Sequence, residues 1–208
     1  MTAGPARGKA DRPDIEHSAL LVVDVQNDFC SGGALEVPSS DRVVTSLNRY
    51  IGDAVARGVA IYASRDWHPA ITSHFTPYGG DWPVHCVQGT DGALFHPNLR
   101  LPSASTVVSK GEQPDSAGYS AFDGRTSDGT SFLADLRARG ITHLYVGGLA
   151  TDYCVKHSVL DARSAGLTVT VLEDAIAGVD VAPGDSTRAI ADMRQKGATV
   201  ADRGGSLS

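Results

Sequence analysis

The stretch ITHLYVGGLATDYCVKHSVLDARSAG, residues 141–166, decides the architecture. Its apolar run Ile141–Val146 reads as a buried strand and the glycines after it supply a turn. Thr151–Ser164 then carries apolar residues at helical spacing until Gly166 stops it. A strand apolar on both faces is stable only with further units beside it and helices above and below. The same alternation recurs on either side. Upstream, Ala19–Val25 (ALLVVDV) is a strand, followed by a helix over Asp41–Arg57, led by an aspartate suited to cap it and stopped by Gly58. Val59–Ser64 and Thr106–Ser109 are further strands, and Thr130–Arg139 is a helix ended by Gly140. Downstream, Leu167–Leu172, Asp185–Lys196 and Ala198–Val200 complete strand, helix and strand. The expected fold class is α/β, a three-layer α/β/α arrangement around a mainly parallel central sheet of about six strands.

The chain has 208 residues, 41% of them hydrophobic and 20% charged, which suits one globular domain with a sizeable core. Residues 1–14, small and polar with glycine and proline, read as a flexible leader, and 15–208 as the single domain. A net charge of −6 and a pI near 5.5 offer no basic field, so nucleic acid and anionic lipid are not expected partners. No apolar run approaches the roughly 20 residues that cross a bilayer. The basic residues at the start are not followed by a hydrophobic signal region. A cytoplasmic protein with a small-molecule substrate is the expectation. Cys30, Cys86 and Cys154 cannot all pair within one chain and show no CxxC spacing, which argues for reduced thiols.

In parallel sheets, ligands bind at the carboxyl ends of the strands. Asp24 lies at the end of the first strand, Asp66 just after the second, Lys110 just after the third and Cys154 just after the fourth, so all four belong on one edge. Cys154 falls in the first turn of its helix, where free N–H groups and the positive dipole end favour a thiolate, although a small core cysteine would occupy the same kind of position. Asp24 interrupts an apolar strand, which is costly unless the carboxylate is paired, either by backbone groups or by a catalytic partner. Lys110 could hold both, or be solvated. Residues 65–102 form a long irregular stretch of the kind that is usually functional. Within it RDWHPAITSH, residues 65–74, groups Asp66, His68 and His74, a carboxylate and two imidazoles suited to Zn2+, Fe2+ or Mn2+. His85 is a candidate fourth ligand or an outer partner. Cys86 adjoins His85, but adjacent side chains usually point apart, so it and Cys30 are weaker nucleophile candidates. Trp67, Trp82, Phe29 and Tyr119 could line a flat apolar pocket or be plain core. His17, His96, His143 and His157 read as structural. GGLAT lacks both GxGxxG and a Walker lysine, which leaves a phosphate cradle unsupported.

VVDVQNDFCSGGAL, RDWHPAITSH, WPVHCVQGTDGALFHP, VVSKG, GYSAFDG and GGLATDYCVKHSVLDA together, in this order from about Ala19 to Gly178, closely resemble the nicotinamidases of the isochorismatase-like hydrolase superfamily. The resemblance implies the isochorismatase-like fold and a cysteine amidohydrolase. Such an enzyme converts nicotinamide to nicotinate and ammonia in NAD salvage through a thioester, and also takes pyrazinamide. It places Asp24, Lys110 and Cys154 on the catalytic triad. Asp66, His68 and His74 fall on the ligands of one divalent metal ion, with His85 joining them in some members. Phe29, Trp82 and Tyr119 fall near the ring pocket, with Leu149 and Tyr153 beside them. It further implies an oxyanion hole at the N–H groups of Ala150 and Cys154, shaped by a cis peptide between Leu149 and Ala150. Relatives range from monomers to larger assemblies, so a homo-oligomer is compatible with the resemblance. The competing readings are a related amidase of the same superfamily and a ligand-sensing protein that keeps the pocket without turnover.

Overall fold

A computed structural model describes residues 14–207. The leader expected over 1–14 therefore lies, up to residue 13, outside the described residues. Asp14, at its boundary, caps the short turn Ile15–His17 by accepting the Glu16 N–H at 3.1 Å.

Seven strands form one sheet: β1 (Ser18–Val23), β2 (Ala60–Asp66), β3 (Thr106–Lys110), β4 (Arg125–Thr126), β5 (His143–Leu149), β6 (Thr168–Ala177) and β7 (Thr199–Ala201). Their order is β4-β3-β2-β1-β5-β6-β7, with every pair parallel except β3 and β4. The helices are α1 (Ser40–Arg57), α2 (Phe132–Ala138), α3 (Lys156–Ser164) and α4 (Asp185–Gln195). The two-residue antiparallel edge strand β4 was not expected, because two residues carry no periodicity. β6 runs past Leu172 to Ala177 through Glu173 and Asp174, polar residues that a search for apolar runs excludes.

Alternation along β1 decides which face each helix covers. Leu20 and Val22 pack with Val43, Leu47 and Tyr50 of α1, whereas Ala19, Leu21 and Val23 pack with Phe132 and Leu136 of α2, Val159 of α3 and Met193 of α4. Every one of these side chains is almost wholly buried, and full burial of a large aliphatic one stabilises by roughly 1.5–3 kcal/mol. Two apolar layers thus hold the sheet between helices. Gly58 closes α1 in the left-handed conformation, φ 70°. At its start the residue before the helix is Ser39, and Asp41 does not act as the cap: its carboxylate accepts from Ser31 Oγ at 3.2 Å.

From β1 the chain builds outward through β2 and β3, then returns to place β5 on the other side of β1. That reversal opens a crevice at the carboxyl ends of β1 and β5, the usual ligand position in such sheets. No helix among the described residues is long and apolar enough to cross a membrane.

Candidate active site

Strand register brings the expected residues together. Val23 stands opposite Ser64 on β2 and opposite Gly148 on β5, and Asp66 stands opposite Lys110. Asp24, the first residue past β1, turns out of the sheet at φ 49°, and its N–H donates to the Ser64 carbonyl at 3.2 Å. Gly148, at φ 132°, lies so close to the Val23 backbone that any Cβ there would collide with it. The absence of a side chain at this position lets the ends of β1 and β5 approach, and with them Asp24 and Cys154.

Lys110 is the centre of the charge network. Its ammonium lies 2.8 Å from Asp24 Oδ2, contacts Asp66 Oδ1 and donates to Cys154 Sγ at 3.5 Å. Both Asp24 and Lys110 are withdrawn from solvent. Ser64 Oγ donates to Asp24 Oδ1 at 2.7 Å. Burial raises the Asp24 carboxyl above its ordinary range, with Lys110 opposing and Asp66 adding. For Asp66 burial also pushes upward, but Lys110 and the neighbouring imidazoles outweigh it and hold the carboxyl well below the usual range. Burial pulls the Lys110 ammonium down, whereas Asp24, Asp66 and Cys154 together hold it well above. One carboxylate is thereby tuned to exchange a proton and the other to stay ionised.

Cys154 lies in a five-residue π-type turn, Thr151–Val155, that leads into α3, rather than in a regular first α-turn. The Tyr153 and Val155 N–H groups both reach the Ala150 carbonyl at 3.1 Å, closing the turn. The Leu149–Ala150 peptide is cis. Burial pushes the Cys154 thiol well above the usual cysteine range despite Lys110, and Asp24 and Asp66 add to the shift. Burial thus works against the thiolate that the helix start was expected to favour, and an Asp24 carboxylate oxygen lies within 4.8 Å of the sulfur. Cys30 and Cys86 are also buried and free, and burial raises both, Cys30 to about 11. Neither lines the pocket next to Lys110.

The imidazoles of His68, His74 and His85 present nitrogen atoms within 4.8 Å of one another. His68 Nδ1 meets the Gly111 carbonyl at 3.1 Å and His85 Nδ1 the Pro83 carbonyl at 2.7 Å. A carbonyl only accepts, so each Nδ1 carries the proton and each Nε2 keeps its lone pair. These Nε2 atoms lie 3.7 and 3.9 Å from Asp66 Oδ2, and that of His68 is buried without a hydrogen-bond partner. Burial, reinforced by the other two imidazoles, lowers His74 to about 4, and burial lowers His85 as well. Three clustered imidazoles beside a carboxylate held low make a donor set that fits a divalent metal ion. Gly111 is required here: at φ 67°, a Cβ on it would lie 2.5 Å from the His68 ring.

Between these groups lies a pocket that reaches Cys154, Ala150, Asp66, His74 and His85. Phe29, Trp82, Tyr119 and Tyr153 line it as expected. Trp82 Nε1 donates to the Tyr119 hydroxyl at 2.9 Å, and the Trp82 and Tyr153 rings meet edge to face at 4.9 Å. One expectation is corrected. Leu149 is not a lining residue: it is 1% exposed and packed in the α1-side core, because alternation along β5 turns it inward. Of the aromatic residues left between pocket and core, Trp67 falls to the core, where it packs against the α1-side cluster under the Arg65 guanidinium at 3.7 Å. His157, read as structural, stacks on Tyr119 from α3.

Sequence reasoning missed Leu35, Val37 and Val179, which complete the apolar wall. It also missed Ser64 and Gln26. Gln26 is buried and grips the Asp66 backbone twice, donating to its carbonyl at 2.8 Å and accepting its N–H at 2.8 Å. A polar residue directly after an apolar strand was the only signal for it.

The chain is similar to known proteins over most of its length. The isochorismatase domain family matches residues 18–204. The nicotinamidase of Escherichia coli (strain K12) is 44% identical over 198 residues, covering 88% of this chain and 93% of its own length. Among solved structures, the pyrazinamidase of Pyrococcus horikoshii in complex with zinc superposes with a TM-score of 0.82 at 40% identity, covering 89% of this chain and 99% of that one. PnC1 from L. infantum in complex with nicotinate gives 0.80 at 30% identity, covering 92% and 96%.

Proposed function

The chain belongs to the isochorismatase-domain family, and on that premise we propose how its residues work as those of a nicotinamidase. The reaction is hydrolysis of nicotinamide to nicotinate and ammonia, a step of NAD salvage, with pyrazinamide as a further substrate. The observation that carries this reading is the position of Lys110: its ammonium touches Asp24, Asp66 and Cys154 at the inner end of an apolar pocket.

The ring enters between Phe29, Trp82 and Tyr119, which leaves the carboxamide carbon beside Cys154. Asp24 takes the thiol proton, and the sulfur adds to the carbonyl carbon. The Ala150 and Cys154 N–H groups receive the oxyanion; such donors are worth about 3–4 kcal/mol each in other hydrolases. Asp24 then returns its proton to the nitrogen, the C–N bond breaks and ammonia leaves a thioester. Water enters, Asp24 takes one of its protons, the hydroxyl oxygen displaces the sulfur to release nicotinate, and Asp24 returns the proton to the departing sulfur to restore the thiol. Throughout, Lys110 stays charged, which holds Asp24 and Asp66 apart in role. Asp66, His68, His74 and His85 would hold one Zn2+, Fe2+ or Mn2+ ion, which supplies a Lewis-acid contact that orients the pyridine nitrogen. His85 stands here as a direct ligand, supported by its Nε2 lying 3.9 Å from Asp66 Oδ2, close to the 3.7 Å of His68 Nε2. Three free cysteines suit the reducing cytoplasm.

The direct test is ammonia release by the purified protein from nicotinamide, pyrazinamide and aliphatic amides, before and after chelation. Release from nicotinamide that is lost on chelation and restored by a divalent metal is expected. Turnover of aliphatic amides alone would redirect the assignment to another amidase.

A further inference from the structure

Asp152 precedes Cys154 by two residues on the same turn, yet its carboxylate is committed elsewhere. Oδ1 accepts the Val179 N–H at 3.0 Å and Oδ2 accepts the Asp180 N–H at 2.8 Å. Both donors lie on the segment leaving β6, and Val179 is a wall of the pocket. The segment is tied once more: Asp180, held at φ 50°, accepts the Ser186 N–H at 2.8 Å and the Ser186 Oγ–H at 2.7 Å, at the first turn of α4. Gly178 sits between the two ties, where a Cβ would collide with Ser186 Oγ and lie 2.9 Å from Asp152 Oδ1.

Two carboxylates in series thus join the nucleophile turn to the pocket wall and the wall to α4. Hydrogen bonds from N–H groups to a carboxylate are stronger than neutral ones and fix direction as well as distance. Val179 also packs against the α1-side core, and beyond the second tie the chain turns outward, with Val181 66% exposed. Resting on the nicotinamidase reading, we propose that Asp152 is a positioning residue that sets the ring selectivity of the pocket, by fixing the Val179 wall at one distance from Cys154. It touches neither substrate nor the reacting atoms. Its loss should loosen the wall, so that the ring is held less firmly and bulkier rings are admitted.

The experiment compares kcat and KM for nicotinamide and for nicotinamides methylated at each ring carbon. Asp152→Ala should raise the nicotinamide KM about tenfold with kcat lowered less than threefold, and should reduce the preference for nicotinamide over at least one methylated ring about tenfold. Val179→Ala should shift the same preference, and the double variant should lose little more than either single one. Asp152→Asn keeps one acceptor oxygen and should fall between wild type and alanine. Ser186→Ala, which leaves the nucleophile turn untouched, should shift the preference in the same direction by a smaller factor, and it serves if Asp152→Ala folds poorly. Unchanged preference in both Asp152→Asn and Ser186→Ala, or kcat falling in step with kcat/KM at constant preference, would overturn the assignment. A wild-type protein that releases no ammonia from nicotinamide would instead sink the functional reading itself.

Discussion

The two ends of the same sheet bury polar groups in opposite ways. At the carboxyl end Asp24, Asp66 and Lys110 are withdrawn from water together, and each charge has an opposite charge in contact. At the amino end His143 is buried with Nδ1 2.7 Å from the Thr168 hydroxyl, and burial drives its pKa down to about 4. Burial is the largest influence in both places, but the partners decide the outcome. Around Lys110 the contacts outweigh burial for Asp66 and for the ammonium itself but not for Asp24, which is still raised; at His143 the neighbouring Arg203 and Arg163 push in the same direction as burial. A further difference is access, since only the carboxyl end opens into the pocket.

This contrast can be broken most sharply at Cys154. Cys154→Ala should reduce ammonia release from nicotinamide by about 10^4-fold or more while metal content stays at the wild-type level, because the sulfur forms the bond that breaks the amide. Substantial residual turnover would remove Cys154 from the nucleophile role. His68→Ala should lose bound metal, read by elemental analysis, and weaken nicotinamide binding about tenfold or more, as expected when one of a few ligands is removed. Normal metal content in that variant would separate His68 from the ligand set.

A smaller effect tests how the carboxyl end is tuned. Ser64→Ala removes the hydroxyl that helps hold Asp24 ionised, and one hydrogen bond to a charged group is worth about 1.5–3 kcal/mol at most. In the proposed mechanism Asp24 must be ionised to accept the thiol proton, so activity should fall as pH drops through its raised pKa. Without Ser64 that pKa rises further, and the acid limb of kcat/KM should move to higher pH. An unmoved limb would assign the acid limb to a group other than Asp24.

The smallest effect is expected at the amino end, on stability alone. His143 titrates near 6.5 when unfolded and at about 4 when folded, so between those values the unfolded chain binds more protons and stability is lost as pH falls from about 6.5 towards 4. Arg163 and Arg203 add to the shift. The full linkage is at most about 3 kcal/mol. His143→Asn, which can still bond Thr168, should shrink the difference in Tm between pH 7 and pH 5 without altering kcat at pH 7. An unchanged Tm difference would show that His143 contributes nothing to acid sensitivity.

Much of the carboxyl end was legible in the chain because its residues break a pattern: Asp24 ends an apolar run, Lys110 follows another, and His68 and His74 crowd an irregular segment. The amino end carries no such break, and His143 reads there as an ordinary strand residue. What escaped at the carboxyl end were partners distant in sequence. Ser64 lies 40 residues from Asp24, and Gln26 is as far from Asp66. Val179 enters the pocket from the far end of β6. The error at Leu149 has the same origin, since a position next to the site on the chain says nothing of the direction its side chain takes.

The sequence by itself determined the strand and helix alternation, the parallel sheet and the reactive residues at its carboxyl edge, because periodicity and local chemistry are properties of short stretches. Only the tertiary structure decided that burial pushes the Cys154 thiol upward, that one carboxylate is raised and the other lowered, and that His85 stands with His68 and His74. Those outcomes depend on burial and on charges only a few ångströms away, which register and the close approach at Gly148 set and no local stretch contains.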